Sequence, residues 1–407
     1  MYGTTGMLGN PSSAVVGANL VFANASLNGT PELQPGLAFG MLIDTGSPVV
    51  LIDPTFYNMA PPATSAEIMA NIDLGLLDAS GNTIVTIQAI PALKLSNAMM
   101  DTLGFGGILG GDVMRQFSVQ LNYANPMDAF RLGDSGTEPT GVETPGGVVG
   151  FTLAGGGQGQ VTLSASAAPI VTLPATRIPL TVTIEGQTYR FILDTGASEV
   201  SVRTSVFDAL TADSRPKLSG FQITTVMGGA NASVTRAKSI TIAGETITNV
   251  PVMTIPGDSL LDSIGSDELH YQLDGLLGGS FLRNFLVTID YPNGQLHLQR
   301  YTTETWVDEF QRVGIGLGAT PLSSAHWYNA GVVYAGTDAA AKGIAVGDEI
   351  ISVDGAPLDG LDPITADNFL NGTPGSTKVL GLGATLSPSL ANTNVTVMVD
   401  DLIPNPQ

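Results

Sequence analysis

The chain contains no cysteine. Disulfides, thiolate metal sites and cysteine nucleophiles are therefore excluded. Histidine is almost missing too: His270, His297 and His326 are the three in 407 residues, and no HExxH or paired-histidine metal motif occurs. Charged residues make up 13% of the chain, against roughly a quarter in an average soluble protein. Basic residues are the scarcest of these, with 15 Lys and Arg against 36 Asp and Glu, for a net charge of −21. Split at residues 133 and 303, the three segments carry −6, −6 and −9, so none is basic. Nucleic acid and anionic membrane surfaces both need clustered Lys and Arg, and neither is expected as a partner. No apolar run approaches the ~18 residues of a membrane span, so no integral membrane segment is expected. Met1 to Asn10 shows no basic patch followed by an apolar stretch, and no signal peptide is read there. A cysteine-free, Lys-poor surface of Ser, Thr, Asn and Gly fits an exported bacterial protein (periplasmic, cell-surface or secreted), with a cytoplasmic home as the alternative.

What is abundant is Gly (50) and Pro (25), punctuating short runs of alternating apolar residues such as Thr181-Val182-Thr183-Ile184 and Val287-Thr288-Ile289. That pattern predicts many short strands and a mainly β fold. Short helices are expected at Thr64 to Ala70, Val113 to Phe117 and Ser205 to Leu210. The length calls for two or three domains.

The strongest feature is internal duplication. Phe39-Gly40-Met41-Leu42-Ile43-Asp44-Thr45-Gly46-Ser47 returns as Tyr189-Arg190-Phe191-Ile192-Leu193-Asp194-Thr195-Gly196-Ala197, at an offset of 150. Gly107-Ile108-Leu109-Gly110 returns as Gly275-Leu276-Leu277-Gly278, at an offset of 168. Both copies then run into a strand, ending Asn122-Tyr123 and Asp290-Tyr291. Two matches in the same order mean two homologous lobes. The growth of the offset makes the second lobe the longer one between the motifs. The expected organisation is a first lobe over 1–133, a Gly/Pro/Thr/Glu-rich linker over 134–147, a second lobe over 148–303 and a different segment over 304–407. Ala154 to Gly159 reads as a second flexible spot.

In each repeat an apolar strand ends in Asp, Thr, Gly. The Asp sits where the strand leaves the core. Gly46 and Gly196 have no Cβ and let another backbone approach. Thr45 and Thr195 offer short hydroxyls that can bond across a pseudo-twofold axis. Two such loops face to face would hold Asp44 and Asp194 within ~3 Å, where they cannot both ionise and so share one proton. The ionised member then takes a proton from a water, and the protonated member donates a hydrogen bond to a substrate carbonyl.

The paired Asp-Thr-Gly motifs, each with its apolar-apolar-Gly partner (Ile108-Leu109-Gly110 and Leu276-Leu277-Gly278), resemble the pepsin/retroviral-protease superfamily of aspartic proteases over roughly Val15 to Arg300. The resemblance implies a bilobal double β-barrel, a catalytic Asp44–Asp194 dyad, loop-bracing Thr45, Gly46, Thr195 and Gly196, a polypeptide substrate, and no metal or organic cofactor. It also implies a β-hairpin flap. Val226, Met227, Gly228 and Gly229, between strand-like runs, suit the flap tip. Ile72 to Ile87 reads as a later hairpin, so the flap is assigned to the second lobe rather than the first, unlike pepsins. Asp53, Asp112, Asp274 and Asp290 are read as turn or surface carboxylates, because Asp112 and Asp290 have Ser280 and Asn122 as repeat counterparts.

From about Asp308 the pattern changes. Val313-Gly314-Ile315-Gly316-Leu317 and Asp338-Ala339-Ala340-Ala341-Lys342-Gly343-Ile344-Ala345-Val346-Gly347-Asp348-Glu349 through Asp354-Gly355 resemble a PDZ domain of the protease-associated bacterial type. That resemblance implies a peptide added as a strand, with Gly314, Ile315, Gly316 and Leu317 as the loop that holds a C-terminal carboxylate. The function expected is an aspartic endopeptidase with a peptide-binding PDZ domain. The alternative is a non-catalytic peptide-binding scaffold with degenerate lobes. A Ser/His hydrolase is set aside, since no Gly-x-Ser-x-Gly elbow is present.

Overall fold

The computed structural model describes residues 7–9, 13–16, 19–31, 39–60, 62, 66–78, 80–95, 105–125, 128–133, 146–160, 170–225, 228–255, 257–302, 306, 308–322, 325–361, 363–383 and 393–406. It is mainly β. Most of the expected 134–147 linker, and Val226 and Met227 of the expected flap tip, lie outside the described residues. The chain forms two compact units, one of 1–215, 223–304 and 406–407, the other of 216–222 and 305–405.

The first unit is built on the duplication. Its first copy places Phe39–Ile43 parallel to Phe105–Leu109, with Ile108 opposite Leu42 and Leu109 opposite Ile43. Val50–Ile52 runs antiparallel on the other side of Phe105–Leu109. The second copy repeats this: Gln187–Leu193 lies parallel to Gly275–Leu277, with Leu276 opposite Ile192 and Leu277 opposite Leu193, and Val200–Val202 runs antiparallel beside it. Each motif strand has a neighbour on both sides and is buried on both faces. This is why Met41, Leu42 and Ile43, and Phe191, Ile192 and Leu193, form unbroken apolar runs rather than alternating ones. Pro179–Ile184 pairs with Gln187–Leu193 and also with Gly228–Ile242, which closes the second sheet on itself.

A six-stranded sheet draws on both copies, in the order Met7–Gly9, Phe130–Gly133, Ser118–Asn122, Phe285–Asp290, Gln295–Arg300, Gly147–Gly150. Its central pair is antiparallel, with Gln120 opposite Thr288. Those two are each other's repeat counterparts, and Gln120 Nε2 donates to Thr288 Oγ1 at 3.1 Å. A residue facing its own duplicate marks the pseudo-twofold axis.

Three local expectations are corrected. Thr64 to Ala70 is not a helix: Ala66–Leu77 is a strand paired with Thr83–Leu95. The short apolar run is compatible with either period, and the long hairpin partner decides it. Val113 to Phe117 is helical only in part, because the helix spans Gly111–Met114 and a turn follows. The Ala154 to Gly159 stretch is not a loose spacer. Ala154 bridges to Arg177, and Gly157–Gln160 pairs with Ile170–Leu173.

Lys217–Thr225 and Gly228–Ile242 are adjacent strands of the second sheet, so Gly228 and Gly229 of the expected flap tip are strand residues. They open the second of these two strands. By topology, Ala66–Leu77 matches Gly228–Ile242 and Thr83–Leu95 matches Glu245–Thr254. Among the described residues of the first copy, nothing matches Lys217–Thr225.

The C-terminal unit orders its strands Gln311–Val313, Thr393–Asp401, Thr377–Gly383, Glu349–Val353, Ala325–Val333, Ile315–Leu322. Val313, Ile315, Ile350, Leu370, Leu380 and Val397 centre its core. The residues expected to form a carboxylate loop do not form one. Ile315, Gly316 and Leu317 are strand residues paired with 330–333, because Ile315 is drawn into the core. Gly314 alone lies between strands, where a Cβ would collide with Thr337. The Leu317 N–H donates to Asp367 Oδ1 at 3.4 Å, and Asp367 forms a two-pronged ion pair with buried Arg312 at 2.8 and 2.5 Å.

Candidate active site

Each motif strand ends at its Asp, whose N–H is the last rung of the parallel pair. Asp44 N–H donates to Leu109 O and Asp194 N–H to Leu277 O, both at 3.1 Å. The chain then turns sharply, with Ser47 N–H returning to Asp44 O and Ala197 N–H to Asp194 O. Behind each loop a short helix starts at the Gly of the apolar-apolar-Gly strand. Its first amide ties the loop down: Gly111 N–H to Ser47 O and Gly279 N–H to Ala197 O, each 2.8 Å.

The two loops interlock. Thr45 N–H donates to Thr195 Oγ1 at 3.0 Å, and Thr195 N–H to Thr45 Oγ1 at 3.1 Å. Thr45 Oγ1 donates to Leu193 O at 2.9 Å, and Thr195 Oγ1 to Ile43 O at 2.6 Å. Both threonines are fully buried. Gly46 N–H donates to Asp44 Oδ1 at 2.7 Å and Gly196 N–H to Asp194 Oδ1 at 3.0 Å, which orients each carboxyl. A Cβ on Gly46 would fall inside the Asp194 carboxyl, and one on Gly196 inside that of Asp44. Glycine is required at both places by this close approach. Asp44 and Asp194 thus come together where the two loops meet, close enough for each carboxyl to act on the other.

The electrostatics follow from that geometry. Desolvation is the largest influence on both carboxyls and raises both above the ordinary range. The charge of Asp194 raises Asp44 further, while the hydrogen bond from Asp44 favours an ionised Asp194. The pair therefore titrates as a unit that holds one proton over a wide range. The guanidinium of Arg177 acts on both members and opposes their rise.

Sequence reasoning missed Arg177 as well as Tyr123 and Tyr291. These two tyrosines follow the Ser118–Asn122 and Phe285–Asp290 strands and are repeat counterparts, both buried, with hydroxyls that meet no hydrogen-bond partner. Burial pushes each phenol well up. Tyr301 and then Asp194 add to this rise in Tyr123, and Asp44 adds to it in Tyr291. Each lobe's tyrosine thus senses the other lobe's aspartate. The sequence signal was the shared Tyr at offset 168, read only as a strand end.

The remaining carboxylates separate. Asp53 caps a short 3-10 turn through the Thr55 N–H at 2.8 Å. Asp290 accepts from Ser118 Oγ and from Asn293, and Asp274 accepts from Arg190 N–H. Asp112 is more than a turn residue. It accepts from Val50 N–H at 3.4 Å and Val113 N–H at 2.9 Å, and desolvation raises it to about 6.

The two carboxyls open into a cavity of about 350 Å³. Leu20, Val49 and Ile108 line it from the first copy, and Met253, Leu260 and Ile264 from the second. Among the described residues, no group of three or more His, Asp or Glu could hold a metal ion. Among the same residues, no helix is long and apolar enough to cross a membrane.

The family model described as aspartyl protease matches residues 180–281, which include Asp194 and its apolar-apolar-Gly strand. A retropepsin-like aspartic protease from Rickettsia conorii is 20% identical over 30% of this chain and 90% of its own, with a TM-score of 0.22. A photosystem II D1 C-terminal processing protease is 24% identical over 23% of this chain, with a TM-score of 0.21. The chain spans 24% of the length of that second protein. No curated protein matches the chain. Residues 180–281 are thus the part of the chain that is similar to the aspartyl protease model.

Proposed function

We propose that the chain is an aspartic endopeptidase whose Asp44 and Asp194 activate a water against a peptide bond. The observation that carries this reading is the close approach of the two carboxyls, held by reciprocal Thr45–Thr195 bonds and admitted by two glycines. With one proton between them, the ionised member accepts the proton of the attacking water. The other polarises the scissile carbonyl and later protonates the leaving amine. Thr45, Gly46, Thr195 and Gly196 hold the geometry. Val226, Met227, Gly228 and Gly229 close over an extended polypeptide. The apolar lining favours bulky apolar side chains at the reacting position.

In this reading the C-terminal unit is a PDZ-like module that takes a peptide along the edge strand Ile315–Leu322, the last in its sheet. Gly314, Ile315, Gly316 and Leu317 begin that edge, so the peptide pairs with a strand rather than entering a separate loop.

The test is cleavage of an unfolded protein substrate between roughly pH 3 and 7, the span in which a coupled carboxylate pair titrates, by the full chain and by Asp44→Asn and Asp194→Asn. Cleavage by the wild type, abolished in both variants, supports the proposal. Full activity in either variant overturns the paired mechanism. No cleavage by a folded wild type at any pH favours the peptide-binding scaffold.

A further inference from the structure

Two carboxylates meet at this site, but one guanidinium serves them. Arg177 precedes Asp194 in the second copy. By strand register, with Pro179 opposite Ile192 and Phe22 opposite Leu42, the first-copy position that matches Arg177 is Leu20, an apolar residue lining the same cavity. The duplication is symmetric in its acids and asymmetric in its cation. A pair that shares one proton carries a single negative charge, and Arg177, itself paired with Glu268, is the cation that acts on both of its members.

The cation is held with unusual completeness. Its backbone bridges to Ala154. Its Nε and Nη2 donate to Glu268 Oε2 and Oε1, both at 2.7 Å. Gly155, at φ +76°, lays its backbone over the ion pair, with the Arg177 Cγ 3.1 Å from where a Cβ would stand. Arg177 is 4% exposed, and its third nitrogen, Nη1, is buried with no hydrogen-bond partner. Arg177, Glu268, Asp44 and Asp194 all line the same cavity. Glu268 comes from Ser263–Leu269, within the stretch between Glu245–Thr254 and Gly275–Leu277 where the second lobe is the longer one.

A buried guanidinium with an unused donor is destabilising unless nearby charge offsets it. Glu268 offsets part of that penalty. The charge of the two aspartates, on the same cavity, acts in the same direction. The other titratable groups around the pair are the phenols of Tyr123 and Tyr291, which burial keeps neutral, and Glu199, just beyond the Asp194 loop, which accepts from Asn19 Nδ2.

We propose that Arg177, locked in place by Glu268, is the positioning residue that supplies the countercharge of the Asp44–Asp194 pair. The inference rests on reading that pair as the reacting groups, and its role is electrostatic rather than contact with substrate. Removing the cation leaves both protons on the pair up to higher pH. Removing Glu268 unmasks the cation and does the reverse.

The experiment compares wild type, Arg177→Lys, Arg177→Met and Glu268→Gln in the full chain. It uses the pH profile of kcat/KM on an unfolded protein and, without substrate, carbon-13 NMR titration of the aspartate carboxyls. Arg177→Met is expected to move both limbs of the profile to higher pH, seen as about a tenfold loss on the acid side. Arg177→Lys should retain most of the wild-type profile. Glu268→Gln should move both limbs to lower pH. A merely structural role would lower the rate without moving the limbs in opposite directions. Limbs that stay put, or that move the same way in Arg177→Met and Glu268→Gln, overturn the proposal. If Arg177→Met does not fold, Glu268→Gln decides alone: a shift to lower pH supports the proposal and no shift overturns it. If folded wild type cleaves nothing, the endopeptidase reading fails, and the NMR titration still decides the countercharge by the same signs.

Discussion

Thr195→Val is the sharpest probe of how the two loops are joined. Valine keeps the shape of threonine and deletes only the hydroxyl. In the folded chain that hydroxyl donates to Ile43 O at 2.6 Å and accepts from Thr45 N–H at 3.0 Å, at a fully buried position. The substitution therefore strands one buried carbonyl and one buried amide. Each orphan costs about 1–3 kcal/mol, so the expected loss is about 2–6 kcal/mol. Thr195→Ser keeps the hydroxyl and drops one methyl, so it should stay within about 1 kcal/mol of wild type. Because the chain forms two units, a single global signal would mix their transitions. Hydrogen exchange in urea, followed on peptides covering 39–52 and 187–202, reports the loop region itself. The reasoning is refuted if Thr195→Val stays within about 0.5 kcal/mol of wild type, the range of an ordinary surface substitution. It is equally refuted if Thr195→Ser loses as much as Thr195→Val.

Two further outcomes concern pH. Asp112 has a folded value raised to about 6 by desolvation, above an unfolded value of about 4. The folded state binds more protons between those values, so this group's contribution falls as pH rises from about 4 to 6 and is flat above. Asp112→Ser, which restores the repeat counterpart Ser280, should remove that slope, a difference of up to about 3 kcal/mol above pH 6. Urea unfolding of both proteins at pH 4.5 and 7.5 checks it, and parallel pH dependences would contradict it. Arg215 is buried and ion-paired with Glu185 and Asp213, and it also donates to Arg236 O. Its hydrogen bond holds Asp213 below the usual carboxylate range. That contribution is present above the unfolded value of about 4 and is lost as pH falls. Arg215→Met should destabilise the protein at neutral pH and show a shallower acid loss, read by thermal melting at pH 3 to 7.

Much of the architecture was written in local repetition. The matched Asp-Thr-Gly and apolar-apolar-Gly segments already implied two like lobes, because strands buried on both faces must be apolar throughout and their loops must use glycine where carboxyls approach. The extra strand Lys217–Thr225 in the second copy followed from its greater length between motifs. Short apolar runs were less legible. Ala66 to Ala70 fits either a helix or a strand until Thr83–Leu95 pairs with it. Ile315 to Leu317 could pass for a loop until the core takes in Ile315.

From the residues alone came the mainly β class, the acidic and cysteine-free character that rules out thiol chemistry, and the pairing of Asp44 with Asp194 as counterparts. Covalent order and side-chain chemistry are enough for those. Only the folded chain decided that Arg177 meets Glu268, far along the sequence, beside both aspartates, and that Tyr123 senses Asp194 while Tyr291 senses Asp44. Such contacts depend on which surfaces the pseudo-twofold axis brings together. Burial then sets their strength, since charges separated in water hardly interact and charges shut away from it do.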